Sequence, residues 1–240
     1  MNQEKQLITD PAVSAQRPHK YLGVFGMIWV TILLIGIFTA VKTFSVGSVV
    51  FSVAILAYPF TYLFADIFTE VYGYRVTRKI VWTGFGCILL ASAIAYIYSL
   101  VPSTSSFTDN DAFNLIFRSS PIIAVASIIA FFSGEITNSF VVAKVKLWTG
   151  ESHKWMRWIS STFLGQIVDN GIFFTAAFLA AGWYTPAELF PLVMSSVLFC
   201  TIWETLALPI TYKVIAFIKL KEGVDTYDKG TNFNPFNLRQ

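Results

Sequence analysis

Residues 21–41 read YLGVFGMIWVTILLIGIFTAV, 21 consecutive residues without an Asp, Glu, Lys, Arg or His. As a helix this run is about 30 Å long, the thickness of the hydrocarbon core of a bilayer. A secretory leader carries an apolar core of only about 7–15 residues, so this span is expected to remain as a membrane anchor. The polar stretch before it, MNQEKQLITDPAVSAQRPHK, is expected to be an N-terminal tail over residues 1–20.

The rest of the chain has the same character. Of its 240 residues 55% are hydrophobic, 17% aromatic and only 13% charged, with a mean hydropathy of +0.62, whereas soluble domains are about a quarter charged. Composition excludes a disordered chain, a coiled coil, a disulfide scaffold and a soluble enzyme. The length criterion marks five further spans, at about 45–67, 79–101, 120–142, 159–182 and 190–214. The expected fold is therefore all-α and polytopic: a bundle of six transmembrane helices over 21–218, followed by a poorly ordered polar tail over 219–240.

Lys and Arg concentrate on the cytoplasmic side of membrane proteins. In the six-span frame Lys5, Arg17, Lys20, Arg75, Arg78, Lys79, Lys144, Lys146, Lys154, Arg157, Lys213, Lys219, Lys221, Lys229 and Arg239 all fall on one side, leaving Lys42 and Arg118 on the other. Both termini are expected in the cytoplasm. The net charge of +3 is too small to suggest a nucleic-acid partner.

An ionisable group at membrane depth costs roughly 2.5–3.5 kcal/mol, so each one is a functional candidate. Glu135 and Asn138 share a face of the fourth span, as do Gln166, Asp169 and Asn170 of the fifth at i, i+3 and i+4, with Gly165 permitting close approach of another helix. Glu204 lies in the sixth. Facing one another, these acids and amides make a polar cavity, with Trp203 or Phe132 as candidate stacking rings. The plainer alternative is interhelical hydrogen bonding for the amides and packing for the aromatics. Asp66, Glu70, Tyr62 and Arg78 at the end of the second span are candidates for a gate or for structure. Glu70 is eight residues from Arg78, so an ion pair or an interfacial position suits it equally. Pro59 and Pro209, inside the second and sixth spans, permit kinks.

Other chemistries are missing from the residues. His19 and His153 lie in polar segments, so no intramembrane Ser–His pair or His-ligated metal can form, and Cys87 and Cys200 lack metal spacing. No GxxxxGK[ST] loop is present, so the chain does not hydrolyse ATP by itself. No catalytic role, metal or cofactor is expected.

The block YPFTYLFADIFTEVYGYRVTRKIVW at 58–82, with Phe64, Asp66, Ile67, Glu70, Val71, Tyr72 and Gly73 as its most specific positions, and the later GQIVDN at 165–170, resemble the queuosine precursor transporter family, also called the vitamin-uptake-transporter family. The resemblance covers most of the chain. It implies a six-helix inner-membrane importer of 7-deazaguanine bases, either 7-cyano-7-deazaguanine, 7-aminomethyl-7-deazaguanine or a queuine-like base. Such a cargo suits the residues: a carboxylate such as Glu135 or Asp169 accepts the adjacent N–H donors of a purine edge, an amide serves its carbonyl, an aromatic stacks on the ring, and Glu204 is available to an aminomethyl cation. The site is expected between the fourth, fifth and sixth spans. A substrate-capture subunit for a vitamin or purine, working with a separate ATP-hydrolysing module, fits the same residues, as does a homodimer. So does a membrane scaffold whose acids only stabilise the bundle.

Overall fold

A computed structural model describes residues 8–149, 154–226, 234 and 236 of the chain. The positions of Lys5, Lys229 and Arg239 and the side chains of Lys144, Lys146, Lys154 and Arg157, which entered the charge count, lie outside the described residues, as does His153. A short helix α1 (Pro11–Gln16) precedes α2 (Leu22–Thr39). Strands β1 (Thr43–Val46) and β2 (Val49–Ser52) follow, then a 3-10 turn (Val53–Leu56), α3 (Tyr58–Tyr72), α4 (Tyr74–Ser99), α5 (Asn110–Thr149), α6 (Lys154–Phe174) continued by a π turn (Thr175–Leu179), and α7 (Pro186–Glu222).

Among the described residues five stretches are long and apolar enough to cross a membrane: α2, α4, Asn110–Asn138 of α5, Ile159–Leu179, and α7. No more than 39% of the most apolar window of any of them is buried within the chain. Leu206, Ile210 and Phe217 of α7 are 70%, 66% and 59% exposed. In water such surfaces would drive aggregation, whereas lipid covers them without cost. The chain is a multi-pass helical membrane protein.

The continuous second helix expected over 45–67 is not what forms. Residues 43–52 make an antiparallel hairpin in which Thr43 pairs with Ser52 and Val46 with Val49. The local sequence TFSVGSVVFS explains it: β-branched and aromatic residues populate both strands, and Gly47, at φ +61°, opens the two-residue turn. A hydropathy ruler responds to the apolar content and is blind to this pattern. Ser52 ends the hairpin, its hydroxyl donating to the Ala40 carbonyl at 2.9 Å and accepting from the Ala54 N–H at 3.3 Å. Pro59 consequently sits in the first turn of α3, where proline fits without a kink, rather than in mid-helix. The 15 residues of α3 extend about 22 Å, short of the core thickness. The hairpin seats against α7, where the Ser195 hydroxyl donates to the Val50 carbonyl at 2.9 Å and Phe51 meets Phe199.

At its other end α3 turns into α4 through Gly73 alone, at φ +81°, a conformation that strains any residue with a Cβ. Beside this turn the first described residues meet the segment that follows α7. Ile8 bridges to Val224, with the Ile8 N–H donating to the Gly223 carbonyl at 3.0 Å and the Asp225 N–H to the Ile8 carbonyl at 2.9 Å. Glu222, the last residue of α7, accepts from the backbone N–H groups of Lys20 at 3.0 Å and Tyr21 at 2.8 Å, and from the Tyr72 hydroxyl at 2.9 Å. The α2 start has no cap of its own, and a carboxylate delivered from the opposite terminus satisfies its donors. The sixth span, placed at 190–214, is thus longer at both ends, and residues 223–226 pack rather than trail.

Candidate functional site

The helices α5 and α6 pack so closely at Gly134 and Gly165 that a Cβ on Gly134 would lie 2.9 Å from the Asp169 Cβ, and one on Gly165 would lie 3.2 Å from the Asn138 Cβ. Glycine at the crossing therefore sets the distance between the polar face of α5, with Glu135 and Asn138, and that of α6, with Gln166 and Asp169. Two further helices close a cavity of about 350 Å³ against this pair, within the usual range for small-molecule sites. From α3 come Pro59, Tyr62, Leu63 and Asp66, and from α7 Trp203, Glu204, Ala207, Leu208 and Thr211. On α3 and α5 the lining positions recur at three- and four-residue intervals, so each presents one face.

Six of the eight residues singled out as substrate contacts line this cavity: Glu135, Asn138, Gln166, Asp169, Trp203 and Glu204. Asn170 stands behind it. Its amide donates to the Gln166 backbone carbonyl at 3.0 Å and to Gln166 Oε1 at 2.8 Å. Gln166, 5% exposed, in turn donates from Nε2 to Glu204 Oε1 at 2.8 Å. Asn170 thereby orients Gln166, and Gln166 holds Glu204. Phe132 points away, into a cluster with Trp82 at 5.2 Å and Phe85 at 5.4 Å, and the ring that reaches the cavity is its neighbour Phe131. The stripe formed by Phe131, Gly134, Glu135 and Asn138 leaves position 132 about 100° off the lining face, a signal present in the spacing.

The group considered for a gate divides in two. Tyr62 and Asp66, four residues apart, line the cavity, and the Tyr62 hydroxyl donates to Asp169 Oδ2. The site thus includes α3, which the expected three-helix arrangement omitted. Glu70 and Arg78 lie outside it. Glu70 pairs with Lys219 Nζ at 2.7 Å, and the same ammonium reaches Asp225 at 2.6 Å. Arg78, 3% exposed, donates to the Asn234 carbonyl at 2.7 Å and lies over the Tyr74 ring. Both serve the terminal end of the bundle.

Tyr62, Phe131 and Asp169 also border a second space of about 40 Å³, walled otherwise by apolar residues such as Trp29, Phe85 and Phe173 together with Tyr58, Thr61, Ser127 and Asn170. The Tyr62–Asp169 hydrogen bond stands where the two meet. The larger space carries four carboxylates, Asp66, Glu135, Asp169 and Glu204, and no Lys, Arg or His among the described residues that line it. Such a wall attracts cations and offers acceptors to N–H donors. Among the described residues no group of three His, Cys, Asp or Glu is arranged to hold a metal ion.

The cavity is polar and acid-lined, and helices of a multi-pass membrane protein enclose it. Residues 52–214 match the family described as "Putative vitamin uptake transporter", and the chain belongs to that family. It is also similar to two relatives, each named "Probable queuosine precursor transporter". That of Bacillus subtilis is 27% identical over 140 residues, 58% of this chain and 61% of the relative. That of Haemophilus influenzae is 29% identical over 130 residues, 51% of this chain and 50% of the relative. The chain thus spans between half and three-fifths of the relatives it matches. No solved structure matches it.

Proposed function

We propose that the protein imports a queuosine precursor, a 7-deazaguanine base, across the bacterial inner membrane into the cytoplasm, through the cavity between α3, α5, α6 and α7. The observation that carries this reading is the convergence of four carboxylates and two amides with Trp203 and Phe131 in one intramembrane cavity, in a chain whose relatives are named for that cargo. A deazaguanine edge presents adjacent N–H donors and one acceptor carbonyl, and the cavity supplies carboxylate acceptors, an amide and aromatic faces. Asp169, Glu204, Glu135, Asn138 and Gln166 contact the base in this reading. Asn170 acts through Gln166.

In this reading the chain crosses six times, one pass being made of the hairpin, the 3-10 turn and α3 together, and both ends face the cytoplasm by the positive-inside rule; the bridge between Ile8 and Val224 supports an even count. The cavity lies on the terminal side of the Tyr62–Asp169 bond, so this arrangement is the inward-facing one.

Thermal stability of the purified protein with a panel of deazaguanines, purines and vitamins tests the cargo, since a ligand that binds only the folded state raises the melting temperature. A shift with a deazaguanine that disappears in Asp169→Asn supports cargo and site together. A shift with a vitamin alone discards the cargo and keeps the site.

A further inference from the structure

The hydrogen bond from the Tyr62 hydroxyl to Asp169 bounds the cavity on the side away from the terminal end of the bundle, and the second space of about 40 Å³ begins behind it. That space has room for water but not for a base. Its placement is regular all the same. The four helices that line the cavity all border it, and on each the next contact comes one turn further from the terminal end: Tyr58 beyond Tyr62 on α3, Ser127 beyond Phe131 on α5, Phe173 beyond Asp169 on α6, and Cys200 beyond Glu204 on α7. A step of four residues keeps a side chain on one face, so the cavity-lining face of every helix runs on into the second space. One turn beyond Cys200, Ser196 has a hydroxyl that is buried without a hydrogen-bond partner among the described residues. Dry packing is costly for such a group, and an arrangement that lets water in relieves the cost.

The helices lose regularity just outward of this space. A 3-10 turn (Val53–Leu56) ends two residues before Tyr58, and a π turn (Thr175–Leu179) starts two residues after Phe173. In α5, Pro121 comes six residues before Ser127, and the Ser120 hydroxyl donates at 2.8 Å to the Phe117 carbonyl that the proline leaves without its helical donor. Breaks of these kinds are where helices bend.

We propose that the second space is the outward half of the cargo path, shut in this arrangement, and that Tyr58, Ser127, Phe173 and Cys200 meet the cargo when the helices open there. This rests on the cavity being the cargo site. The Tyr58 and Phe173 rings, with centroids 5.8 Å apart at 75°, offer faces to a flat heteroaromatic ring, and the Tyr58 and Ser127 hydroxyls add polar contacts beside them. The Tyr62–Asp169 bond is then the barrier between the two halves, and it breaks when the outward half opens.

Cys200 is a native reporter of that opening. It borders the second space and is 2% exposed, while the other cysteine, Cys87, is exposed and replaceable. In a Cys87→Ser background, a membrane-impermeant methanethiosulfonate is added to the face of the membrane from which Ser105→Cys, in the loop between α4 and α5, is labelled. Cys200 should react from that face, and its modification should block uptake of 7-cyano-7-deazaguanine. Tyr62→Phe should speed the reaction about tenfold by removing the barrier. Ser127→Cys in a chain lacking both native cysteines should react from the same face, and serves as the reporter if modification of Cys200 unfolds the protein. Uptake of the base by protein in which neither thiol is reached from that face overturns the path and leaves the proposed function standing. Reaction from the terminal face alone overturns it as well, because the space then belongs to the inward half. Labelling of both thiols in folded protein that neither binds nor moves a base keeps the path and removes the cargo. Folded protein that shows neither labelling nor uptake removes both.

Discussion

Each polar residue of the cavity has a different degree of commitment, and that decides what its replacement should do. Gln166 is held on both sides, by Asn170 and by Glu204, so Asn170→Leu should act at a distance. It leaves Gln166 Oε1 without its donor, a cost of about 1–3 kcal/mol, and should weaken precursor binding while Asn170 itself touches no ligand. Isothermal titration beside a melting curve separates the two effects. Gly134→Ala tests the crossing of α5 and α6. Its Cβ would lie 2.9 Å from the Asp169 Cβ and 3.2 Å from the Gly165 carbonyl, contacts that the helices must separate to relieve. Overpacking of this kind costs about 1–3 kcal/mol, and ligand-induced stabilisation should be lost more completely than the fold, read as melting temperature with and without precursor. Tyr62→Phe removes only the donor to Asp169 and opens the wall between the two spaces. Uptake into proteoliposomes should fall while the melting temperature changes by a few degrees at most.

At the level of elements, the sequence block 64–73 acquires two unrelated meanings. Asp66 serves the cavity, whereas Glu70, Val71, Tyr72 and Gly73 build the junction where α3, α4 and both terminal segments meet. Thr226 donates to the Val71 carbonyl at 3.1 Å and to Ser14 Oγ at 3.1 Å, joining the C-terminal segment to α3 and to α1. Glu222→Ala should be among the most disruptive changes outside the cavity, since it deprives two backbone N–H groups and the Tyr72 hydroxyl of their acceptor. The expected loss is about 1–3 kcal/mol, measurable as faster hydrogen exchange at the start of α2. The same junction should respond to acid. The His19 ring lies edge-on to Tyr72 at 4.8 Å, and burial lowers its pKa below the usual histidine value, with Glu222 partly opposing. A histidine depressed in the folded state favours folding above its unfolded pKa, and that contribution is lost as pH falls below about 6.5. Melting temperature should therefore drop between about pH 7 and about pH 5, and the drop should be smaller in His19→Gln.

For the whole molecule the sharpest expectation concerns sidedness. With cytoplasmic termini, a cysteine introduced as Ser105→Cys in the loop between α4 and α5 should react with a membrane-impermeant thiol reagent added to intact cells. Lys221→Cys at the end of α7 should react only after permeabilisation. The reverse pattern would invert the topology and the direction of transport with it. Activity of the chain alone, as uptake into liposomes without ATP, separates a self-sufficient carrier from a capture subunit.

Composition and hydropathy period determined on their own that this chain lives in a bilayer, where most of its helices run and which buried acids are worth testing, because the cost of charge in hydrocarbon is a property of the residue and its span. The hairpin at 43–52 was legible too, in β-branched strands around Gly47, but only to a reading that asks about alternation as well as apolarity. What tertiary structure alone decided is which acids meet. The contact of Tyr62 with Asp169 and the hold of Gln166 on Glu204 each join residues dozens of positions apart, and Asp66 of α3 and Glu135 of α5 come to line one cavity. Helical spacing places side chains on a face, but the rotation of one helix against another is set by packing at contacts such as Gly134 with Gly165, and no single helix carries that information.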